Sequence, residues 1–119
     1  MATYEKRFLS ASTDGAAIKI NTTYGPGNLI HTAAASATVA PIDEVFLQIS
    51  NPTTTDQVVT VQFAATTTVD NDIIDTVPAR SGLFPILKGI PIKNAKTIYV
   101  YAGATATLGG YGWVNRITP

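Results

Sequence analysis

The fold is decided by the stretch Glu44-Val45-Phe46-Leu47-Gln48-Ile49-Ser50, in which Val45, Leu47 and Ile49 fall on one side of an extended chain. The stretch Gln57-Val58-Val59-Thr60-Val61-Gln62-Phe63 repeats this pattern a few residues later. A period of two with β-branched residues on one side is typical of a strand that buries one face. The two stretches therefore predict neighbouring strands joined by a long hairpin loop.

Turn residues separate further runs of the same kind along the whole chain. Pro52 ends the first strand because it has no N–H to donate, and Tyr24–Asn28 and Gly109–Gly112 are rich in glycine. Short strands at regular spacing predict an all-β, single-domain β-sandwich over residues 1–119, β-tulip or jelly-roll-like and mostly antiparallel. The predicted strands are 5–10, 16–20, 28–34, 43–50, 57–64, 73–76, 84–87, 96–102 and 112–118.

The composition excludes several classes of function. The 119 residues include no cysteine, so disulfide scaffolds, thiol catalysis and zinc fingers are excluded. Lys and Arg total 8 and Asp and Glu total 8, without the basic stripe that nucleic-acid binding requires. No segment is apolar and long enough to span a membrane, and no cofactor motif is present.

The charge content points instead to a partner. Only 13% of residues are charged, about half the usual fraction. Because surface charge opposes association, such a chain is expected to have part of its surface covered by another protein. The alternative is a threonine-rich β-surface that is soluble by itself.

No constellation of residues predicts catalysis. His31, the only histidine, is expected to be an ordinary surface or rim residue of a strand, without a nucleophile elbow nearby. Asp43 and Glu44 are adjacent and point to opposite faces, so we expect an exposed strand entrance rather than an acid–base pair. We therefore expect a protein that is not an enzyme.

An acidic run is the one hint of a metal site. Asp70, Asp72 and Asp75 resemble part of a calcium loop, but the glycine and the glutamate of a full EF-hand are missing. A solvated turn is the favoured interpretation.

Aromatic side chains and two irregular segments are the candidate binding elements. Tyr99 and Tyr101 share one strand face, as do Tyr111 and Trp113, and each pair either forms a platform for a sugar or protein or completes the core. Two segments look like docking elements rather than strands: residues 1–7, as a docking arm, and Thr76–Pro85, whose alternative is an irregular surface connection. The predicted partner-binding residues are Arg7, Arg80, Phe84, Tyr99, Tyr101 and Trp113.

Three stretches give the chain a family resemblance: Val45–Val61, Gly89–Ala102 and Gly112–Val114. Together they resemble small bacteriophage virion proteins that decorate or cement the capsid. The resemblance implies a β-sandwich on the outer capsid surface that binds the major capsid protein as a homotrimer and strengthens contacts between capsid subunits. Phage tail and fibre domains share much of the pattern, so a carbohydrate- or receptor-binding β-domain is the alternative, and a head–tail connector stays open.

Overall fold

A computed structural model describes residues 2–36, 38–66, 71–103 and 107–119. These residues form nine strands and no helix that is long and apolar enough to cross a membrane. The strands are β1 (Thr3–Phe8), β2 (Ile18–Ile20), β3 (Asn28–Thr32), β4 (Ile42–Ser50), β5 (Gln57–Phe63), β6 (Asp72–Val77), β7 (Phe84–Ile92), β8 (Thr97–Ala102) and β9 (Leu108–Thr118).

The strands form two antiparallel sheets that pack face to face. The first sheet has the order β1-β9-β4-β7, and β2 also pairs with β9; the second has the order β3-β8-β5-β6. The predicted all-β sandwich is confirmed, and every predicted strand overlaps an observed one. β7 and β9 are longer than predicted: β7 tolerates Pro85 and Pro91 because it lies at a sheet edge.

The core is organised around one side of β4. Asp43, Val45, Leu47, Ile49 and Asn51 all point inward and are 0% exposed, and we call them the inner row. Each buried Val, Leu or Ile contributes roughly 1.5–3 kcal/mol to the free energy of folding. The second sheet contributes completely buried side chains to the same core: Val59, Val61, Ile98 and Val100.

The inner row corrects one expectation. Glu44 lies on the outer side of the strand, as alternation requires, but Asp43 is buried rather than exposed at a strand entrance. The second strand of the predicted hairpin also differs in detail, because Thr60 and Gln62 lie opposite Val59 and Val61 and are nevertheless buried. β5 is therefore covered on both faces at residues 59–62, while Val58 stays exposed.

A β-bulge in β3 corrects a second expectation. Leu29 pairs with Tyr99 and His31 pairs with Ile98, so the register shifts by one residue at Ile30. Both Ile30 and His31 consequently turn inward and are buried. His31 is not a surface or rim residue.

The N-terminal segment corrects a third. Residues 3–8 are strand β1, paired with β9 from Thr3 opposite Thr118 to Phe8 opposite Trp113. Beyond β1 the chain crosses to the second sheet, where the N–H of Ala11 donates to the carbonyl of Ile30 (3.2 Å), and then returns as β2. Residues 3–7 of the predicted docking arm at residues 1–7 thus lie in an edge strand, and the docking role stays a prediction.

Candidate functional site

The outer face of the first sheet carries a row of aromatic rings. Phe8 of β1, Trp113 of β9 and Phe46 of β4 are directly paired across three strands. The rings of Phe46 and Trp113 stack, with centroids 4.8 Å apart and planes 11° from parallel. Phe8 is 59% exposed, and the other two are half-buried. The row is therefore most exposed to solvent at Phe8, on the β1 edge of the sheet.

Two glycines make room for this row. At Gly112 an added Cβ would overlap the carbonyl oxygen of Phe46, so only glycine lets β9 approach β4 this closely. At Gly89, which has φ of +87°, a Cβ would lie 3.1 Å from the Phe46 ring. The two positions hold Phe46 against Trp113, and neither tolerates a larger residue without displacement.

A lysine and two tyrosines extend this row on the same face of the sheet. Lys6 places its Nζ 5.1 Å from the centre of the Trp113 ring, within range of a cation–π contact. Tyr4 lies two residues from Lys6 on the same side and is 74% exposed, and Tyr111 is exposed at the other end of the row. We define the aromatic face by its rings: Tyr4, Phe8, Phe46, Tyr111 and Trp113.

A cleft of about 660 Å³ opens beside β1. Glu5 and Arg7 of β1 form an exposed ion pair of 2.6 Å at its rim, and Ser10 and His31 also line it. Trp113 borders the same cleft. Of the predicted partner-binding residues, the structure therefore brings Arg7 and Trp113 together.

A charged network lies behind the cleft and joins the two sheets. Arg116 of β9 binds Asp43 of β4 through two hydrogen bonds, Nε to Oδ1 (2.8 Å) and Nη2 to Oδ2 (3.1 Å). Nε2 of His31 lies 2.8 Å from Oδ2 of the same carboxylate. The N–H of Ala34 also donates to Oδ2 (3.3 Å). The buried carboxylate of Asp43 is thereby fully satisfied.

The protonation state of His31 follows from its neighbours. The backbone N–H of Ser10 donates to Nδ1 (2.9 Å), so Nδ1 accepts and the proton of the neutral ring lies on Nε2, facing Asp43. Burial lowers the pKa of His31, although Asp43 opposes the shift. Burial by itself would raise the pKa of Asp43, but the hydrogen bonds from Arg116 and His31 and the charge of Arg116 hold that pKa below its usual value.

This arrangement is not that of a Ser-His-Asp nucleophile. In such a triad the imidazole accepts from the serine hydroxyl, whereas here it accepts from the Ser10 backbone. The Ser10 Oγ instead accepts from the N–H of Thr32 (2.7 Å). Both ring nitrogens of His31 are hydrogen-bonded within the protein. We therefore interpret the network as a brace, that is, a stabilising contact between the two sheets.

The remaining predicted binding residues lie apart from one another. Tyr99 and Tyr101 are half-buried on the outer face of the second sheet. Arg80 is exposed, with φ of +55°, in the connection between β6 and β7. Phe84 begins β7 and packs partly against the core. The six predicted residues therefore do not form one site.

The acidic run does not form a turn where the structure describes it. Asp72 and Asp75 lie within β6, three residues apart and hence on opposite sides of that strand. Asp75 Oδ1 accepts from the N–H of Thr76 (2.8 Å), and Asp70 lies outside the described residues. Within residues 2–36, 38–66, 71–103 and 107–119, no group of three or more His, Asp or Glu is placed to hold a metal ion.

Comparisons with protein-family models, with curated proteins and with solved structures found no match. The function of the site is therefore inferred from the geometry of this structure. Sequence reasoning missed Tyr4, Phe8 and Phe46 as parts of the aromatic face, and Lys6 as the cation beside it. The spacing of Tyr4, Lys6 and Phe8, each two residues apart, was the available signal, since such residues share one side of a strand.

Proposed function

We propose that this chain is a non-catalytic structural protein that binds another protein through the aromatic face. In the setting that the sequence resemblance suggests, it binds the outer surface of a phage capsid and stabilises contacts between subunits of the major capsid protein. The proposal rests on one observation, the open row of Phe8, Trp113 and Phe46 on the first sheet. Exposed, contiguous aromatic surface on a small protein is typical of a protein-binding site.

The contrast between the two outer faces supports this choice. On the second sheet, Gln62 is buried because the segment before β3 covers it, with the N–H of Gly27 donating to Gln62 Oε1 (3.0 Å). Thr60 is buried on the same side. Further along that side the exposed groups are the aliphatic side chains of Val58 and Ile74. The first sheet instead exposes aromatic rings at directly paired positions, and of these Phe8 stays 59% exposed although Gly15 lies beside its ring. A partner is therefore expected on the first sheet.

Co-sedimentation with capsid shells tests the proposal. Shells are reassembled from the major capsid protein encoded in the same genome, and the bound fraction of this chain is titrated. The double variant Tyr111→Ser, Trp113→Thr should lose at least about tenfold in affinity, because aromatic anchors carry much of the binding energy of an interface. A thermal melt of the variant checks that it is folded.

Tyr24→Ser is the matched control, because Tyr24 is 74% exposed and lies outside the aromatic face. It should bind shells like the unaltered protein. Failure of the unaltered protein to co-sediment, or equal binding by the double variant, would refute the proposal. The homotrimer that the resemblance implies is tested separately, by counting the copies of this chain bound to shells saturated with it.

Carbohydrate or receptor binding is the second candidate. Sugar rings stack on exposed aromatic rings, and the Phe46–Trp113 pair with Lys6 beside it offers such a surface. A glycan array decides between the two: binding that Trp113→Ala abolishes and Tyr101→Ala preserves would favour a tail or fibre role. Absence of any glycan signal, together with shell binding, would eliminate it.

A further inference from the structure

The edge strands differ in how they are protected, and β2, which also lies at an edge because among the described strands it pairs only with β9, has just three residues. β7 carries Pro85 and Pro91 and two register shifts against β4, and both features prevent regular pairing. β6 carries Asp72 and Asp75, two charges of one sign. Beside β3, Ala11 already donates to the carbonyl of Ile30. These three edges are poor templates for another strand.

β1 is different. All six of its residues are exposed, and its described strand partner is β9. No backbone hydrogen bond outside the strand ladders uses residues 3–8, within the described part of the chain. One edge of β1 is therefore available for a further strand along the length of Thr3–Phe8.

The sequence of β1 is complementary to itself in one antiparallel register. A two-fold axis between neighbouring antiparallel strands is perpendicular to the sheet, so side chains that face each other lie on the same side. A register centred on Lys6 places Tyr4 opposite Phe8 of the second copy and Glu5 opposite Arg7 of the second copy. It thus forms two aromatic pairs, and it places the Glu5–Arg7 ion pair of each copy against that of the other, so that every carboxylate also faces a guanidinium group of the second copy.

The neighbouring registers are worse. A register centred on Glu5 places that carboxylate against its own copy, and one centred on Arg7 places two guanidinium groups together. In the register centred on Lys6, the two lysines meet at the axis, but each Nζ already lies over Trp113 of its own chain. The like charges are consequently drawn back from the edge.

We infer that β1 is a homotypic pairing edge, which joins two copies of this chain into one continuous antiparallel sheet centred on Lys6. Charged residues usually protect an edge from pairing, but here Glu5 and Arg7 alternate in sign and lie on the same side, which selects this register instead. The pairing would place the aromatic faces of the two copies side by side. It uses the edge of the sheet, so it does not depend on capsid or glycan binding.

Charge reversal tests the register. Light scattering over a concentration series should show the unaltered protein approaching twice its 12.5 kDa chain mass. Glu5→Arg and Arg7→Glu should each remain monomeric, because like charges then face each other. An equimolar mixture of the two variants, and the double variant Glu5→Arg, Arg7→Glu, should both recover the dimer mass. Lys93→Glu, an exposed charge reversal in the β7–β8 turn, should have no effect.

Cysteine crosslinking locates the axis, because the chain has no cysteine of its own. Lys6→Cys should crosslink with itself under mild oxidation, since directly opposed residues have Cα atoms about 4.5–5.5 Å apart, within disulfide range. Glu5→Cys and Arg7→Cys should crosslink only when mixed. A protein that stays monomeric to its solubility limit, a trimer insensitive to the reversals, or a dimer in which Lys6→Cys does not crosslink would each overturn the inference.

Discussion

Each end of the inner row is a buried polar side chain that needs hydrogen-bond partners, and the two ends obtain these partners in different ways. Asp43 and Asn51 are both 0% exposed and sit on either side of Val45, Leu47 and Ile49. Asp43 is satisfied by charged and titratable groups from distant parts of the chain, Arg116 and His31. Asn51 is satisfied by neutral groups. The contribution of the Asp43 end to stability should thus depend on charge and pH, whereas that of the Asn51 end should not.

The partners of Asn51 are mostly local. Its Nδ2 donates to the carbonyls of Thr55 (2.9 Å) and Val77 (3.1 Å). Its Oδ1 accepts from the backbone N–H of Thr53 (3.0 Å) and from the Thr53 hydroxyl (2.6 Å). The amide fixes the loop between β4 and β5 and ties it to β6. It needs no desolvated charge to do so.

The largest effect is expected from removing the cation at the charged end. Arg116→Met leaves the Asp43 carboxylate buried with His31 and the Ala34 N–H only, and breaking a buried pair in this way costs about 3–5 kcal/mol. Urea denaturation measures the loss. Lys19→Met, a surface control in β2, should change stability little. A loss below about 1 kcal/mol would mean that the charged end is not a brace.

At the neutral end, Asn51→Ala removes both donors and the acceptor of the amide. The Val77 carbonyl and the Thr53 N–H lose their partner, and we expect a loss of about 2–3 kcal/mol. The same urea measurement at pH 5 and pH 8 should give the same loss, since no titrating group is involved. A loss that depends on pH would contradict the contrast between the two ends.

The pH dependence separates the ends directly. Because burial holds the pKa of His31 below its ordinary value of 6.5, the unfolded chain binds a proton first as the pH falls below that value. Stability should therefore decrease on acidification below about pH 6.5, by at most about 1.4 kcal/mol per pH unit. Asp43, whose pKa is also lowered from 3.8, adds a further loss at lower pH as its carboxylate becomes protonated.

His31→Gln is the test of that assignment. Glutamine offers an acceptor for the Ser10 N–H and a donor for Asp43 but does not titrate. Its stability should be nearly flat between pH 6.5 and pH 4.5, while Asn51→Ala keeps the slope of the unaltered protein. An unchanged slope in His31→Gln would assign the pH dependence to another group.

The smallest effect is expected at Thr53. Thr53→Val removes the hydroxyl that donates to Asn51 Oδ1 and keeps the backbone donor, so we expect a loss of about 0.5–1.5 kcal/mol. Thermal denaturation at two pH values measures it. A loss as large as that of Asn51→Ala would show that the hydroxyl, rather than the amide, holds the loop.

The sequence was sufficient for the strands because alternation identifies each face of a strand. Val45, Leu47 and Ile49 were correctly predicted to share a face, and they are completely buried. Alternation does not say how far a covered face extends, so the burial of Asp43 was missed. It also fails at a bulge, and the bulge at Ile30 is why His31 turned inward.

The candidate site was less predictable. Trp113 was identified from its spacing to Tyr111, but its stacking on Phe46 depends on the pairing of β9 with β4, which brings together residues far apart in sequence. Phe8 lies within the predicted strand 5–10 but was missed, because its place beside Trp113 depends on the pairing of β1 with β9. Arg116 carries no local pattern, and its contact with Asp43 depends on the pairing of β9 with β4.

The central position of β9 also governs how the chain reaches its fold. β9 forms hydrogen bonds with β1, β2 and β4. The ladder between β1 and β9 therefore cannot form until the chain is complete to Thr118, which pairs with Thr3. Pairings between residues so distant in sequence form slowly, because the chain loses conformational entropy on closing the long loop before the new contacts stabilise it. A nascent chain that ends before Leu108 would have β1 and β2 without the strand that joins them to β4, and it should stay sensitive to proteolysis until β9 is added.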